Sequence, residues 1–225
     1  MPEVTIVGAG FAGVEAAWAL ASRGVRVRLI EMRPVQNTPA HTTDSFAELV
    51  CSNSFKSKLP TSPAGQLKAE MNALGSIVLE VAEKHAVPGG EALCVDRDAY
   101  AKEITERIEN HPLIQIERRP FTAEEAATFE GDGDDILILA TGPLTSPDVS
   151  EWLARITGRD HLYFYDAVSP TVEAASLNRD IVFAQSRYDK GGGDDYLNCP
   201  FDKESYEAFV AELVKAERAP IHAFE

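Results

Sequence analysis

The first thirty residues place short apolar runs on either side of a glycine-rich turn, in an order typical of a βαβ unit. Val4 to Val7 is a β-prone apolar run, and the glycine-rich segment Gly8 to Gly13 follows it directly. Apolar residues then recur at helical spacing between Ala12 and Arg23. Gly24 is a residue type that commonly follows a helix C-terminus, and Val25 to Ile30 alternates as a strand does. The pattern therefore predicts strand, tight turn, helix and strand.

Farther along the chain, irregular stretches separate the apolar patterns. Residues 32–63 contain four prolines and many Ser, Thr and Asn residues, which predicts a long loop of the functional or disordered kind. Strands are predicted over Leu113–Glu117 and Ile136–Ala140, and the second resembles a parallel strand covered on both faces. Helices are predicted over Asp98–Asn110 and from about Ala64 to Lys84, the latter with one apolar face made of Leu67, Met71, Leu74, Val78 and Val81.

The pattern of apolar and polar residues changes after Pro143, which suggests a second region. Leu162–Tyr165 and Ile181–Ala184 are predicted to be strands, and about Lys203 to Ala216 a final helix. Between the second of these strands and the helix lies a connection that contains Gly191 to Gly193.

Composition narrows the class of protein. A chain of 225 residues with 44% hydrophobic and 25% charged residues can bury a core as one large or two small domains. No apolar run approaches the ~20 residues that cross a bilayer, and the first strand begins too early for a secretory signal. Three scattered cysteines argue against a disulfide framework or a zinc site. We therefore expect a cytoplasmic protein without a membrane segment or a metal.

Charge argues against nucleic-acid binding by this chain alone. Acidic residues outnumber basic ones 36 to 21, for a net charge of −15. Proteins that bind nucleic acids usually present a basic patch to the phosphates. Any RNA contact would need a local basic region or a part of the protein outside this sequence.

The glycine spacing Gly8-x-Gly10-x-x-Gly13 between a predicted strand and helix favours dinucleotide binding. Gly8 permits the sharp turn, Gly10 lets the backbone approach a pyrophosphate, and Gly13 lets the helix pack close to the sheet. The helix N-terminus offers N–H groups to the phosphates, and Glu31, at the end of the next strand, can accept hydrogen bonds from ribose hydroxyls. The alternative is a turn that binds nothing. The candidate cofactor-binding residues here are Gly8, Ala9, Gly10, Phe11, Ala12, Gly13 and Glu31.

A second motif favours FAD over NAD. The segment Ile136 to Gly142 resembles the late strand and Ala-Thr-Gly turn of glutathione-reductase-like flavoproteins, where it closes over the dinucleotide. Thr141 and Gly142 are therefore further candidate cofactor-binding residues. A core strand that simply ends in a turn is the alternative. The fold class expected is α/β, a glutathione-reductase-like FAD/NAD(P)-binding Rossmann-type fold.

The most specific pattern is the cysteine loop from Leu49 to Ser57. With several other blocks, it resembles the folate- and FAD-dependent tRNA (uracil-5-)-methyltransferases, formerly called Gid proteins. The resemblance spans essentially the whole chain. The other matching blocks are Ile30 to Pro34, Thr38 to His41, Val95 to Asp98, Leu162 to Pro170, Ser186 to Lys190 and Asp195 to Pro200.

The resemblance implies an enzyme, a methylenetetrahydrofolate–tRNA-(uracil-5-)-methyltransferase. It would transfer a one-carbon unit from 5,10-methylenetetrahydrofolate to C5 of a uridine in the T-loop of tRNA. FAD would be the cofactor, NADH or NADPH the reductant, and tRNA and folate the partners. Residues 1–148 would be the N-terminal portion of the FAD-binding domain, and residues 149–225 part of an inserted α+β domain.

Cys51 is the candidate catalytic residue. Uracil C5 becomes nucleophilic only after something adds at C6, and a thiolate is well suited to that addition. Cys51 could instead protect the flavin adduct or donate a proton. Free cysteines are commonly buried and inert, so the residue type alone favours a structural role. Lys56 and Lys58 are candidate cations for lowering a thiol pKa. His41 and Arg187 could contact folate, flavin or RNA phosphate, or each be an ordinary polar surface residue.

Family members are about twice this length, and their second functional cysteine lies in a Phe-Glu-Gly-Cys stretch. This chain stops at Phe224-Glu225, where that stretch would begin, so we expect the N-terminal half of such an enzyme. Two other functions stay open on sequence grounds. One is a generic FAD-dependent oxidoreductase acting on a small molecule, and the other is a non-catalytic cofactor- or RNA-binding fragment.

Overall fold

The computed structural model describes residues 3–50, 52–130, 135–159, 172–186 and 193–217. The chain divides into two compact units, Met1–Pro170 and Thr171–Glu225. Within the described ranges, no helix has the length and apolar character that a membrane crossing requires.

A four-stranded parallel sheet forms the centre of the first unit. Its strands, with the helix that joins the first two, are β1 Glu3–Val7, α1 Phe11–Ala21, β2 Arg26–Glu31, β6 Ile114–Arg118 and β7 Ile136–Leu139. The strand order is β6-β2-β1-β7, and Val4 lies opposite both Val27 and Ile136. The β-branched residues of β1 suit a buried strand, and α1 crosses over from β1 to β2 as a parallel pair requires. These elements confirm the predicted βαβ unit and the α/β Rossmann-type fold class.

Helices cover both faces of this sheet because successive strand residues point to opposite sides. On one face, Val4 and Ile6 of β1 pack with α1 and with the helices Ile77–Lys84 (α3) and Arg97–Glu109 (α4). On the other face, Val7 and Ile30 pack with the helices Ala123–Ala127 (α5) and Pro147–Thr157 (α6). The carboxyl ends of the strands, where the candidate site lies, are thus held between two apolar layers.

A second, antiparallel sheet begins within the long segment that was predicted to be irregular. Its strands are β3 Ser54–Ser57, β4 Ala86–Val87 and β5 Ala92–Val95. The order is β3-β5-β4, with Ser54 opposite Cys94 and Ala86 opposite Val95. The prediction of a loop throughout residues 32–63 is therefore wrong over β3. The four residues Ser-Phe-Lys-Ser are too few and too polar to show the alternation typical of a strand, and they form one because their backbone pairs with β5.

The single helix predicted from Ala64 to Lys84 is also wrong. The segment forms two helices, Pro63–Ala73 (α2) and α3. Gly75 has a φ of 82°, in the left-handed region, and so interrupts the first helix. Ser76 then caps the second by accepting a hydrogen bond from the Leu79 N–H at 3.1 Å. The break removes the predicted common face, and Leu74 is 76% exposed.

Two further predictions concern the end of the first unit. Strand β7 pairs only with β1 among the described strands and so lies at the edge of the sheet, but both of its faces pack against buried residues, as predicted: Ile138 on one side, Leu137 and Leu139 on the other. Helix α6 begins at Pro147 and buries Val149 and Trp152 against α5 in the first unit. The proposed boundary between domains 1–148 and 149–225 stays a prediction about the domain organisation.

The second unit contains little regular structure in its described part. A 3₁₀ turn, Ala174–Ser176, precedes a two-stranded antiparallel ladder of β8 (Phe183–Ala184) and β9 (Leu197–Asn198), and α7 spans Lys203–Lys215. The final helix is confirmed, and the strand predicted over Ile181–Ala184 is shorter than expected. The predicted strand Leu162–Tyr165, the candidate contact residue Arg187 and residues 191–192 lie outside the described residues.

The loop after β2 is fixed by a buried ionic network. Arg33, with only 2% of its side chain exposed, donates from Nε to Glu31 and from Nη1 to Glu48, both at 3.0 Å. Glu48 also accepts hydrogen bonds from the backbone N–H and the hydroxyl of Thr42 and of Thr43. A buried charged pair is stable when its polar atoms are hydrogen-bonded, and Arg33 Nη1 also donates to the carbonyl oxygen of Thr43 at 3.1 Å.

We expect Ser76→Ala to lower the free energy of unfolding by about 1–2 kcal/mol, because α3 loses its N-cap. The Ser76 hydroxyl also bonds to Glu15, so the change leaves that carboxylate with one partner fewer. Denaturant unfolding measures the effect. Ser62→Ala, which uncaps the more exposed helix α2, is the control with the smaller expected loss. An equal loss from both variants would contradict this account of α3.

We expect the Arg33 network to make stability depend on pH. Burial raises the pKa of Glu31, but Arg33 and the Ala9 N–H together lower it further than that, and the net pKa lies below the ordinary 4.5. Burial likewise raises the pKa of Glu48, and the hydrogen bonds from Thr42 and Thr43 bring it below 4.5. Carboxyl groups with depressed pKa values stabilise the fold well above pH 4.5, and this contribution is lost as the pH falls below that value.

The test is denaturant unfolding across this pH range in the parent chain and in Glu48→Gln. The variant should lose about 3 kcal/mol at pH 7, because Arg33 is left with one buried partner fewer, and its stability should then fall less on acidification. Glu151→Gln, at an exposed position of α6, is the matched control. Parallel pH curves for Glu48→Gln and the parent chain would be evidence against the network's role.

Candidate functional site

A cavity of about 490 Å³ opens at the carboxyl ends of β1, β2 and β7. Its volume lies in the range of small-molecule sites, and its position at the strand ends is where ligands bind in open α/β sheets. Four segments form most of its wall: the glycine turn with the start of α1, the loop after β2, the residues that follow β6, and the turn after β7. The lining residues include Gly8, Gly10, Phe11, Ala12, Glu31, Arg33, Thr38, His41, Glu48, Arg119, Thr141 and Gly142.

Two glycines of the turn are required by close packing inside the protein. Gly8 has a φ of 95°, and a Cβ added there would lie 2.6 Å from the carbonyl oxygen of Ala140. A Cβ on Gly13 would lie 1.8 Å from the carbonyl oxygen of Gly8. These positions accept no side chain because the strand, turn and helix touch one another there.

Gly10 differs from them. Its φ of −73° suits any residue, and a Cβ added there would meet no protein atom within 4 Å. It is the N-cap of α1 and provides no side-chain cap, so the helix start, with Phe11 and Ala12, faces the cavity uncapped. An open approach to backbone N–H groups at the positive end of a helix suits an anionic group such as a phosphate.

The remaining predicted turn residues lie behind this wall. Ala9 is fully buried, donates its N–H to Glu31 Oε2 at 2.8 Å, and accepts a hydrogen bond from the Ala47 N–H at 2.9 Å. Gly13 is buried in α1. The structure thus brings seven predicted residues to the cavity wall, with Ala9 and Gly13 supporting them: Gly8, Gly10, Phe11, Ala12, Glu31, Thr141 and Gly142.

Glu31 lies at the end of β2 with its carboxylate directed by its neighbours. Oε2 accepts from the Ala9 N–H, while Oε1 accepts from the backbone N–H and the Nε of Arg33, both at 3.0 Å. Its lowered pKa keeps it ionised at neutral pH. A carboxylate has about four acceptor positions, so capacity remains for a hydroxyl of a ligand.

The turn after β7 closes the opposite side of the cavity. Gly142 has a φ of 66° and begins a short 3₁₀ turn, Gly142–Leu144. The Thr141 hydroxyl lies 2.6 Å from that of Thr145, which also donates to the carbonyl of Gly142. The Ala140 N–H donates to Val7 at 2.8 Å and so holds this turn beside the glycine turn.

Sequence reasoning missed the charged residues of the wall. Arg33 and Glu48 had no assigned role, although Arg33 lies in the block Ile30 to Pro34, where an arginine two residues after Glu31 was a usable signal. Arg119 also lines the cavity and forms ion pairs of 2.8 and 2.7 Å with Glu117 and Glu125. No local pattern marked it. Each of the two arginines is paired with two glutamates, so these groups together bring no net positive charge to the site.

The predicted catalytic residue, Cys51, lies outside the described residues. Its neighbours Lys56 and Lys58 are exposed, so their proposed effect on that thiol stays a prediction. Of the other cysteines, Cys94 is buried in β5 and Cys199 is exposed.

Similarity to known proteins extends over nearly the whole chain. The family described as glucose inhibited division protein A matches residues 3–225. Similar curated proteins include the methylenetetrahydrofolate–tRNA-(uracil-5-)-methyltransferases TrmFO of Desulfotalea psychrophila and Zymomonas mobilis. Each is 49% identical to this chain over 100% of it and 49% of the relative. That of Parasynechococcus marenigrum is 50% identical over 99% of this chain and 47% of the relative.

The chain therefore spans about half the length of the curated relatives that it matches. Among solved structures, it is similar to the GidA-related protein from Thermus thermophilus with 23% identity and a TM-score of 0.37, covering 69% of this chain and 68% of that one. That likeness is too weak to support a conclusion. The match over residues 3–225 confirms the resemblance found in the sequence: the chain belongs to the glucose inhibited division protein A family.

Proposed function

We propose that this chain supplies the FAD-binding part of a tRNA (uracil-5-)-methyltransferase. The reaction would place a methyl group on C5 of a T-loop uridine, with 5,10-methylenetetrahydrofolate as the one-carbon donor and NADH or NADPH as the reductant. The observation that carries the proposal is the 49% identity, over the whole of this chain, to curated proteins with this activity in their names.

The cavity fits FAD because, unlike the other two glycines of the turn, Gly10 has open space where a side chain would be. The space in front of Gly10 is open, and the N-terminus of α1 faces it, so the backbone can approach a pyrophosphate closely. Bound FAD would supply the electrons that convert the transferred one-carbon unit to a methyl group. The chain's own contribution is to bind and orient it through Gly8, Gly10, Phe11 and Ala12.

Glu31, Thr141 and Gly142 would complete the proposed cofactor contacts. Glu31 is ionised at neutral pH and held in place by Ala9 and Arg33, so it can accept a hydrogen bond from a ribose hydroxyl. Thr141 and Gly142 lie on the facing wall, where the turn after β7 would cover the dinucleotide. Ala9 and Gly13 would act indirectly, by supporting the turn.

Cys51 remains the proposed thiol of the reaction. Addition of a thiolate at uracil C6 would raise the electron density at C5, and the proton lost from the thiol must pass to a nearby base or to water. The roles of protecting a flavin intermediate or donating a proton stay open. The charge of −15 implies that tRNA contacts come largely from a local basic surface or from a longer polypeptide. A cytoplasmic location is part of the same proposal.

Methyl transfer is tested directly with 5,10-methylenetetrahydrofolate, NADPH and unmodified tRNA. The assay uses the chain itself and any longer polypeptide whose open reading frame contains it, and mass spectrometry of digested tRNA detects 5-methyluridine. We expect product that requires both folate and NADPH and that disappears in Cys51→Ala. Folate- and RNA-independent oxidation of NADPH would favour a generic flavin oxidoreductase instead. No product from the longer polypeptide would overturn the proposal.

We expect Gly10→Ala to weaken FAD binding by about tenfold or more while leaving stability close to that of the parent chain. The new methyl group enters open space on the cavity side, at a φ that alanine adopts readily, so only the ligand meets it. Titration of the apo-protein with FAD, followed by flavin fluorescence, gives the dissociation constant.

Gly13→Ala is the matched comparison on the same helix. Its methyl group would collide with the Gly8 carbonyl, so we expect a clear loss of thermal stability whether or not FAD is present. The pair separates a ligand contact from a packing contact. Unchanged FAD affinity in Gly10→Ala would mean that the dinucleotide does not approach this turn.

A further inference from the structure

His41 lies in the wall of the cavity on the loop after β2. Its ring is half-buried, and its Nδ1 lies 2.6 Å from the hydroxyl oxygen of Thr38. The other ring nitrogen, Nε2, forms no hydrogen bond with any of the described residues. A half-buried imidazole with one nitrogen bonded to the protein and the other free suits a ligand contact.

The hydrogen-bond pattern around Thr38 determines which ring nitrogen carries the proton. Thr38 Oγ1 accepts hydrogen bonds from the backbone N–H groups of Ala40 at 3.3 Å and of His41 at 3.2 Å. A hydroxyl has two acceptor positions and one donor hydrogen. Because both acceptor positions are used, the hydrogen points to His41 Nδ1, which must accept it. The ring proton is therefore on Nε2.

The charges around the ring keep it in this neutral form. Burial lowers the pKa of His41, and the positive charge of Arg33 lowers it further. Glu48 and Glu31 act in the opposite direction, but the net pKa stays below the ordinary value of 6.5. At neutral pH and above, the ring thus has one N–H donor, at Nε2.

We propose that His41 binds the ligand of this cavity by donating its Nε2–H to an acceptor oxygen, and that Thr38 is a positioning residue that fixes the tautomer. The proposal rests on the proposed dinucleotide site and adds a contact to it. The acceptor is a phosphate or carbonyl oxygen of the dinucleotide, because these groups carry the exposed lone pairs that an N–H donor requires. Thr38 does not itself touch the ligand in this scheme.

Three variants test the two roles. His41→Ala removes the donor and should weaken FAD binding about tenfold, the loss expected for one hydrogen bond to a charged acceptor. His41→Gln can place an amide N–H where Nε2 was, so it should bind within about threefold of the parent chain. Thr38→Val keeps the shape but frees the tautomer, and it should give an intermediate loss. His111→Ala, which removes a ring packed on Trp18 outside the cavity wall, is the control with unchanged affinity.

A second measurement separates positioning from a general loss of structure. Nitrogen-15 NMR of the imidazole should find the proton on Nε2 in the parent chain and a mixture of tautomers in Thr38→Val. Titration with ADP locates the acceptor: weakening by His41→Ala with both ADP and FAD places it in the ADP half, and weakening with FAD alone places it in the flavin half. Either result supports the contact.

Several outcomes would overturn the inference. Parent-like FAD binding in His41→Ala, a His41→Gln variant as weak as His41→Ala, or a proton on Nδ1 in the parent chain would each do so. If FAD binds and Gly10→Ala weakens it while His41→Ala does not, the dinucleotide site stands and only the histidine contact fails. If the parent chain binds no FAD, both fail together.

Discussion

The candidate site depends on one buried arginine held between two carboxylates. Arg33 joins Glu31, at the end of a sheet strand, to Glu48, in the loop after β2 that lines the cavity. The same ring of contacts closes through Ala9, which donates to Glu31 and accepts from Ala47. Because breaking a buried pair leaves an uncompensated charge, these segments hold one another in a single arrangement. The shape of the cavity follows from that arrangement.

The glycine turn shows how one short motif combines two different constraints. Gly8 and Gly13 are glycine because backbone atoms of the protein occupy the space where a Cβ would be. Gly10 is under no such constraint from the protein, and its open side faces the cavity. The first pair makes the fold possible, and the third position leaves room for a ligand. The spacing of the motif predicts these roles by position, and the close contacts at Gly8 and Gly13 give their physical reason. The consequences of substitution for stability and for binding differ accordingly.

The charged groups that line the cavity are of both signs, although the whole chain is strongly acidic. Arg33 and Arg119 lie in the wall with Glu31 and Glu48, and the N-terminus of α1 adds the positive end of a helix dipole, whereas the sequence has a net charge of −15. Field strength in a cavity depends on nearby groups, since distant surface charges are screened by solvent and salt. An anionic ligand is therefore compatible with this site. Binding of tRNA needs an extended basic surface, so it would depend on groups outside the cavity.

Local sequence determined the βαβ unit, the glycine turn, Glu31 and the turn at Thr141-Gly142, because each depends on residues adjacent in the chain. The helix break at Gly75-Ser76 also depends on local residues, but apolar residues at helical spacing on both sides of it led to the prediction of one continuous helix. Tertiary structure alone decided that β3 pairs with β5, since pairing depends on a partner about forty residues away. It also decided that Arg33, Glu48 and His41 face one cavity, because hydrogen bonds and burial across the loop orient these side chains, and no periodicity in the sequence encodes such contacts.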